Sequence, residues 1–405
     1  MTSPVDTSVK YFSSLMTGAP VLSGTAGALV ALLDACLKDG FDTKTLTSLV
    51  ALGGVMTATW ASGAHSSQID SVVLVAGVAG GPVGSAFAGA NGEQKIVSRP
   101  TNLTATWATA LPDGTYTGTI TMKMAPLGFA KPFSTTNVAA YQSTDPASTK
   151  MILRLDDTGA TTCRVVGCEV MSDIATYSGI FPTTTQISGG GYWGKSGTAN
   201  SVAQQWALFG DSRGFFLHVC PSYGANNASV QGVTRYFGDI IAFRPGGDNY
   251  GASLSYSQSS ASTSQQDGQP ELNSQQQAMP RAVSGLGTGQ QHVCAPYTGA
   301  AGNTSGSDVT FGPFPSPIDG TLRLSKRFLA LPGGASPPRG DMPGLYSAPH
   351  SLCADSFKFN DRIVGTGILS GRSLFVVNPA TTTVSGVTSS SNSGASFLDI
   401  TGPWR

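Results

Sequence analysis

Apolar positions along the chain alternate with polar ones more often than they recur at helical spacing. One stretch departs from this: Leu29, Leu32, Leu33, Cys36 and Leu37 follow the i, i+3, i+4, i+7, i+8 pattern of a single buried helical face. Ser23 or Thr25 is placed to cap that helix, Lys38 lies in its last turn and Gly40 follows it, so the spacing predicts one helix over residues 23–39. Elsewhere the period is two. Ile120, Met122 and Met124 alternate with Thr119, Thr121 and Lys123, and Met151, Leu153 and Leu155 repeat the pattern, which fits strands with one face buried. Pro112-Asp113-Gly114 and Asp157-Thr158-Gly159 read as turns. Apolar runs at 206–209 and 215–219 flank Gly210-Asp-Ser-Arg-Gly214, the outline of a hairpin. Further runs at 236–243, 322–331 and 374–377 read as strands.

These elements predict a mainly β protein. A segment 1–56 carries the helix. A small β-sandwich or barrel spans 57–130, and a larger β-rich domain with long loops spans 131–405. Within the last, the Ser/Gln-rich stretch 249–280 has too few apolar residues to build a core and reads as an arm that orders against a neighbour. The Ser/Thr/Gly-rich segment 381–405 ends in Phe397, Leu398, Ile400 and Trp404, which need somewhere to bury. Together with Leu29, Leu33 and Leu37 on the helix, these four are candidates for contact with another subunit. Packing on the chain's own sheet is the alternative for both groups.

Composition narrows the classes. Only 11% of the 405 residues are charged, against roughly 25% in an ordinary soluble domain, while 51 Gly and 24 Pro favour turns over long helices. The 23 basic and 23 acidic residues cancel, so there is no basic field for phosphates and no nucleic-acid partner is expected. A surface without net charge also tolerates self-association. The first six residues lack the basic n-region of a signal peptide. The uncharged run 71–92 is interrupted by seven glycines or prolines, which fits a strand and Gly-rich loop rather than a membrane span.

Candidate chemistry is sparse. Gly210-Asp211-Ser212-Arg213-Gly214 matches the GxSxG nucleophile elbow, but Phe-Phe-Leu-His-Val follows where a helix is required. Three His/Cys pairs, His218 with Cys220, His292 with Cys294 and His350 with Cys353, could each grip an ion. They lack the usual flanks of a zinc knuckle, and no metal or other cofactor is expected. Cys163 and Cys168 fall on opposite faces of one strand, as do Asp156 and Asp157. Arg339-Gly340-Asp341 spells an adhesion tripeptide among prolines that favour an exposed turn. Tyr192, Trp193 and Tyr250 are candidates for sugar stacking. Nothing assembles a nucleophile, a base and an oxyanion donor, so no enzymatic activity is expected.

Several stretches resemble a known family. They are Tyr11-Phe-Ser-Ser-Leu-Met-Thr-Gly-Ala-Pro-Val-Leu-Ser-Gly-Thr-Ala-Gly27 running on to Leu32-Leu-Asp-Ala-Cys-Leu-Lys-Asp-Gly-Phe41, Ala140-Tyr-Gln-Ser-Thr-Asp-Pro-Ala-Ser-Thr-Lys-Met151 leading to Leu153-Arg-Leu-Asp-Asp-Thr-Gly159, Trp206-Ala-Leu-Phe-Gly-Asp-Ser-Arg-Gly-Phe-Phe-Leu-His218 and Asp399-Ile-Thr-Gly-Pro-Trp404. The chain resembles virion structural proteins of tailed phages and prophages of proteobacteria. The resemblance implies a subunit of the tail tip or baseplate, assembled in the bacterial cytoplasm and residing in the virion. Its partners would be copies of itself and other virion proteins. A fibre or spike module that binds a host surface glycan, or a capsid decoration protein, are the alternatives.

Overall fold

The computed structural model describes residues 3–82, 86–224, 232–260, 276–296, 312–332, 338–350, 356–377, 383–384, 387–388 and 395–405. The protein is mainly β, with a single six-residue α-helix among the described residues. Three antiparallel sheets carry the architecture.

A seven-stranded sheet runs in the order Gly92–Lys95, Val72–Gly80, Gly114–Met124, Phe41–Leu52, Val55–Trp60, Thr104–Ala108, Ser98–Thr101. Phe41–Leu52 is its centre, paired on one side with Gly114–Met124 and on the other with Val55–Trp60. The boundary expected between residues 56 and 57 therefore cuts a hairpin, and the small β unit begins at Phe41. Its inner face is the predicted one: Ile120, Met122 and Met124 are buried. A six-stranded sheet, built mainly from Val138–Ser143, Ile152–Asp156, Thr162–Cys168 and Gly191–Gly194, follows.

The largest sheet has thirteen strands and runs from Lys10–Ser13 through Gln204–Asp211, Gly214–Gly224 and Val233–Asp239 to Gly340–Ser347, Ser396–Asp399, Ser373–Val377 and finally Arg362–Val364. Gln204–Asp211 and Val233–Asp239 are buried along their whole length, polar residues such as Gln205, Thr234 and Arg235 included. Tyr11, Phe209, Phe216 and Tyr236 are register partners across four adjacent strands and so share a face. The sheet curls to cover that face with its own far strands. Phe375 lies 4.9 Å from Phe209, Trp404 lies 5.8 Å from Phe216, and Phe359 stacks on His218 at 5.3 Å. On the opposite face Phe215 meets Phe129 and Trp193 of the six-stranded sheet region edge-on, and Phe12 meets Phe41. One hydrophobic core thus runs through all three sheets.

The helix starts later than its periodicity suggests. It spans Ala28–Leu33 and continues as a π-helical segment, Asp34–Asp39. Ser23 and Thr25 do not cap it; their hydroxyls bond to each other at 2.9 Å. The N-cap is Gly27, in the left-handed region with φ 81°. The side-chain acceptor comes from 128 residues away: Asp157 Oδ2 accepts the N–H groups of Leu29 at 2.7 Å and Val30 at 3.1 Å. At the other end the backbone N–H groups of Leu127 and Gly128 bond the carbonyls of Cys36 and Leu37, the orphan acceptors of a helix terminus.

Two further expectations need correction. The ends of the Ser/Gln stretch 249–280 are not an arm. Ala252–Ser255 and Gln277–Met279 pair with each other inside the thirteen-stranded sheet, and Leu254, Tyr256, Ala278 and Met279 are fully buried. Residues 261–275 lie outside the described residues. The C-terminal segment is likewise no appendage, because Ser396–Asp399 lies between Gly340–Ser347 and Ser373–Val377 and pairs with both.

Candidate functional site

The seven apolar residues offered above as subunit contacts are all consumed by the fold. Leu29, Leu33 and Leu37 are buried in the core, as are Phe397, Leu398, Ile400 and Trp404. The helix is short and roofed by the π segment and neighbouring sheets, so its apolar face has no outward side. Ser396–Asp399 is buried on both of its faces, with Leu398 in one apolar cluster and Phe397 in another.

The His/Cys pairs are separated. His218 and Cys220 do share a face, with Sγ 3.5 Å from Nε2, but the other ring nitrogen is taken by Thr234 Oγ1 at 2.9 Å. His292 and Cys294 are buried in the strand Gln290–Pro296. His350 Nε2 accepts the backbone N–H of Arg323 at 3.1 Å, and Cys353 lies outside the described residues. Among the described residues no three His, Cys, Asp or Glu side chains come together as metal ligands.

These buried imidazoles predict a pH response. Burial pushes the pKa of His218 down to about 3 and that of His292 down to about 4. Below the ordinary value near 6.5 the unfolded chain therefore binds protons that the native state refuses. Stability is fully present above about pH 6.5 and falls as pH drops toward the folded values. The loss is on the order of 3–5 kcal/mol per histidine, at about 1.4 kcal/mol for each tenfold change in proton affinity. Urea midpoints measured between neutral pH and about pH 4 should fall accordingly, and less steeply in a His218→Gln, His292→Gln double variant. Equal slopes in the two proteins would contradict this.

Ser212 sits in a two-residue turn between antiparallel strands, with Asp211 opposite Gly214. Its hydroxyl donates to Asp145 Oδ2 at 2.7 Å. Burial raises the Asp145 pKa, but hydrogen bonds from Ser212, Ala147 and Arg213 outweigh it and hold the carboxyl near about 2, too acidic to act as a base. The tripeptide Arg339-Gly340-Asp341 is buried rather than displayed. Arg339 pairs with Asp248 at 2.8 Å, and Gly340 and Asp341 open a sheet strand. Trp193 is buried, with its indole N–H on Ser255 O at 2.7 Å. Tyr192 and Tyr250 are half-buried, with the guanidinium groups of Arg164 and Arg281 over their rings at 3.9 and 5.0 Å.

Two recesses stand out instead. The first lies at the seam where the curled sheet brings its edge strands together. Arg362, on the last strand, sits 5.0 Å above the ring of Tyr11 on the first. The loop at residues 64–70 of the small β unit closes the seam: Ile69 O accepts both the Tyr11 hydroxyl at 2.7 Å and Arg362 Nη1 at 2.8 Å. Arg362 Nη2 also bonds Gln68 Oε1. Beside this clasp is a cavity of about 420 Å³ lined by His65, Ser67, Arg99 and Arg362 among others. No spacing signal in the sequence singles out His65 or could bring Arg362 beside it.

The second recess, of about 540 Å³, is apolar. Phe243, Val283, Ala330, Leu331 and Pro338 line it, with Arg244 and Arg339 among its polar walls. Phe243 and Val283 are each 44% exposed, and Leu286, in the same turn as Val283, is 72% exposed. Other large apolar side chains are exposed elsewhere, Ile318 and Ile368 among them, but here several are gathered around one open recess.

No known protein family and no curated protein matches the chain.

Proposed function

We propose that the chain is a structural subunit of a bacteriophage virion, at the tail tip or baseplate, and that it acts by packing against neighbouring subunits rather than by catalysis. The observation that carries this reading is the open apolar recess at Phe243, Val283 and Leu331. A recess of this kind on a protein of zero net charge can take a partner's apolar side chains without long-range repulsion. The resemblance of residues 11–41, 140–159, 206–218 and 399–404 to virion proteins supports the same reading. The partners are then copies of the chain or other virion proteins, and the chain resides in the particle.

A Phe243→Glu variant tests it. The side chain is exposed, so the variant should fold with an unchanged melting temperature. Its incorporation into particles should fall about tenfold or more, because a buried unpaired carboxylate costs several kcal/mol. Quantitative mass spectrometry of purified particles reads the outcome. Normal incorporation of the variant, or absence of the wild-type chain from particles, would overturn the proposal.

A further inference from the structure

We propose that the cavity at the seam of the curled sheet binds a small polyhydroxylated anion, a sugar carrying a carboxylate or a phosphate. This stands apart from the assembly reading, since it concerns a different face and can be measured on the isolated chain.

Charge is the first argument. Arg99 and Arg362 both line the cavity and no aspartate or glutamate does. Among the described residues neither guanidinium is in an ion pair. The neighbouring carboxylates stand behind the lining, where Asp42 still acts on Arg99 and His65. Asp42 is held by Lys44 at 3.2 Å and by the N–H and hydroxyl of Ser66, and Asp70 lies outside the lining, acting on Tyr11.

Donors are the second. A guanidinium has five N–H bonds, and Arg362 directs its own to Ile69 O, Gln68 Oε1 and the Tyr11 hydroxyl, so two remain for a ligand. Arg99 is more fully committed: it bonds the carbonyls of Thr104, His65, Ser67 and Asn102 and the hydroxyl of Ser67. It therefore contributes fixed charge and holds the loop in shape.

His65 is the third and the most specific. Its Nδ1 accepts the backbone N–H of Ser67 at 3.0 Å. The proton of the neutral ring must then sit on Nε2. Nε2 has no partner in full hydrogen-bonding geometry although the residue is only 3% exposed; the Asp42 backbone gives the ring a weaker contact. Burial also lowers the His65 pKa, which keeps the ring a neutral donor at physiological pH. A buried donor without a well-placed acceptor costs free energy, and an acceptor-rich ligand would relieve it once the loop at residues 64–70 gives it access.

Shape and the remaining groups narrow the ligand. The volume lies within the range of small-molecule sites. Gln68, Thr101 and Asn102 offer amide and hydroxyl groups for a ring of hydroxyls, and Leu15 and Ile69 offer apolar surface for its C–H face. A polymeric polyanion would meet little beyond this recess, because the chain as a whole is neutral.

Calorimetry on the full chain with glucuronate, glucose 6-phosphate, glucose and inorganic phosphate tests the proposal. Binding is expected for one or both acidic sugars, with the tighter arm identifying the acid. Glucose should not bind, and inorganic phosphate should bind more weakly than glucose 6-phosphate. Arg362→Gln should weaken binding about tenfold or more and Arg362→Lys by only a few-fold, given the strength of charge-assisted hydrogen bonds. In the wild type, the Nε2–H resonance of His65 should shift on saturation, a readout that needs no variant to fold. Failure of both acidic sugars to bind, equal affinity in Arg362→Gln, or an unmoved His65 resonance would overturn the site. Inorganic phosphate binding as tightly as glucose 6-phosphate would overturn the sugar assignment.

Discussion

Removing residues 397–405 should unfold the protein. Ser396–Asp399 is hydrogen-bonded on both sides, to Gly340–Ser347 and to Ser373–Val377, so its loss leaves two unpaired strand edges facing the interior. Phe397, Leu398 and Ile400 are fully buried and Trp404 nearly so. At about 1.5–3 kcal/mol for each large apolar side chain, the four contribute roughly 6–12 kcal/mol, similar to the whole stability of a typical domain. Polar anchors add to this. Trp404 donates to Asp399 O at 2.8 Å, and Arg405 pairs with Asp211 at 2.7 Å while bonding the carbonyls of Ile240 and Asp239. Lys95 of the small β unit bonds Thr401 O at 2.6 Å, which ties the terminus to that unit as well. The truncated chain should lose its cooperative thermal transition and its near-ultraviolet circular dichroism. A truncated chain that melts like the full one would show that this strand is dispensable.

The same segment shows what a sequence pattern can and cannot reveal. Phe397, Leu398, Ile400 and Trp404 announce that something must bury them. Pattern says nothing about whether the cover comes from the same chain, because register partners such as Leu345 for Leu398 lie 53 residues away and are set by topology. Alternation was informative wherever one face is wet, as in Gly114–Met124. It was silent in Ala252–Ser255, where both faces are buried but the residues are Ala, Ser, Leu and Ser. Small polar residues there pack inside a sheet, so low hydrophobicity read as an arm. The helix was legible from five apolar positions, yet its start was not, because the group that caps it is Asp157. The cavity was illegible for a related reason. Its chemistry joins a loop at residues 64–69 to Arg362, nearly three hundred residues later, through the closure of one sheet.

That remote cap leads to the second large effect. Asp157 and Lys195 form an ion pair with both side chains 0% exposed. Asp157 also accepts the N–H groups of Leu29 and Val30, and Lys195 also donates to Thr25 O at 2.6 Å. Helix, six-stranded sheet and the chain leading to the thirteen-stranded sheet therefore meet at one buried charge pair. Replacing both members by apolar groups need not be costly, but removing one strands the other without a counter-ion, at about 3–5 kcal/mol. Lys195→Met should lose stability of that order, and so should Asp157→Asn, which keeps an acceptor for the helix but strands the lysine. The Asp157→Asn, Lys195→Met double variant should lose less than the sum of the two. pH supplies an independent check. Burial raises the Asp157 pKa, and Lys195 with the two N–H groups opposes the rise. Burial prevails even with Lys195 in place, and without Lys195 the rise is larger. A carboxyl with a raised folded pKa favours the native state in its protonated form, and that stabilisation fades as pH rises through the folded value. Lys195→Met should therefore be least stable, relative to wild type, at neutral pH and recover part of the difference in mild acid. Denaturant melts of the three variants at two pH values decide it. Strict additivity, or a Lys195→Met deficit that grows on acidification, would show that the pair does not hold this junction together.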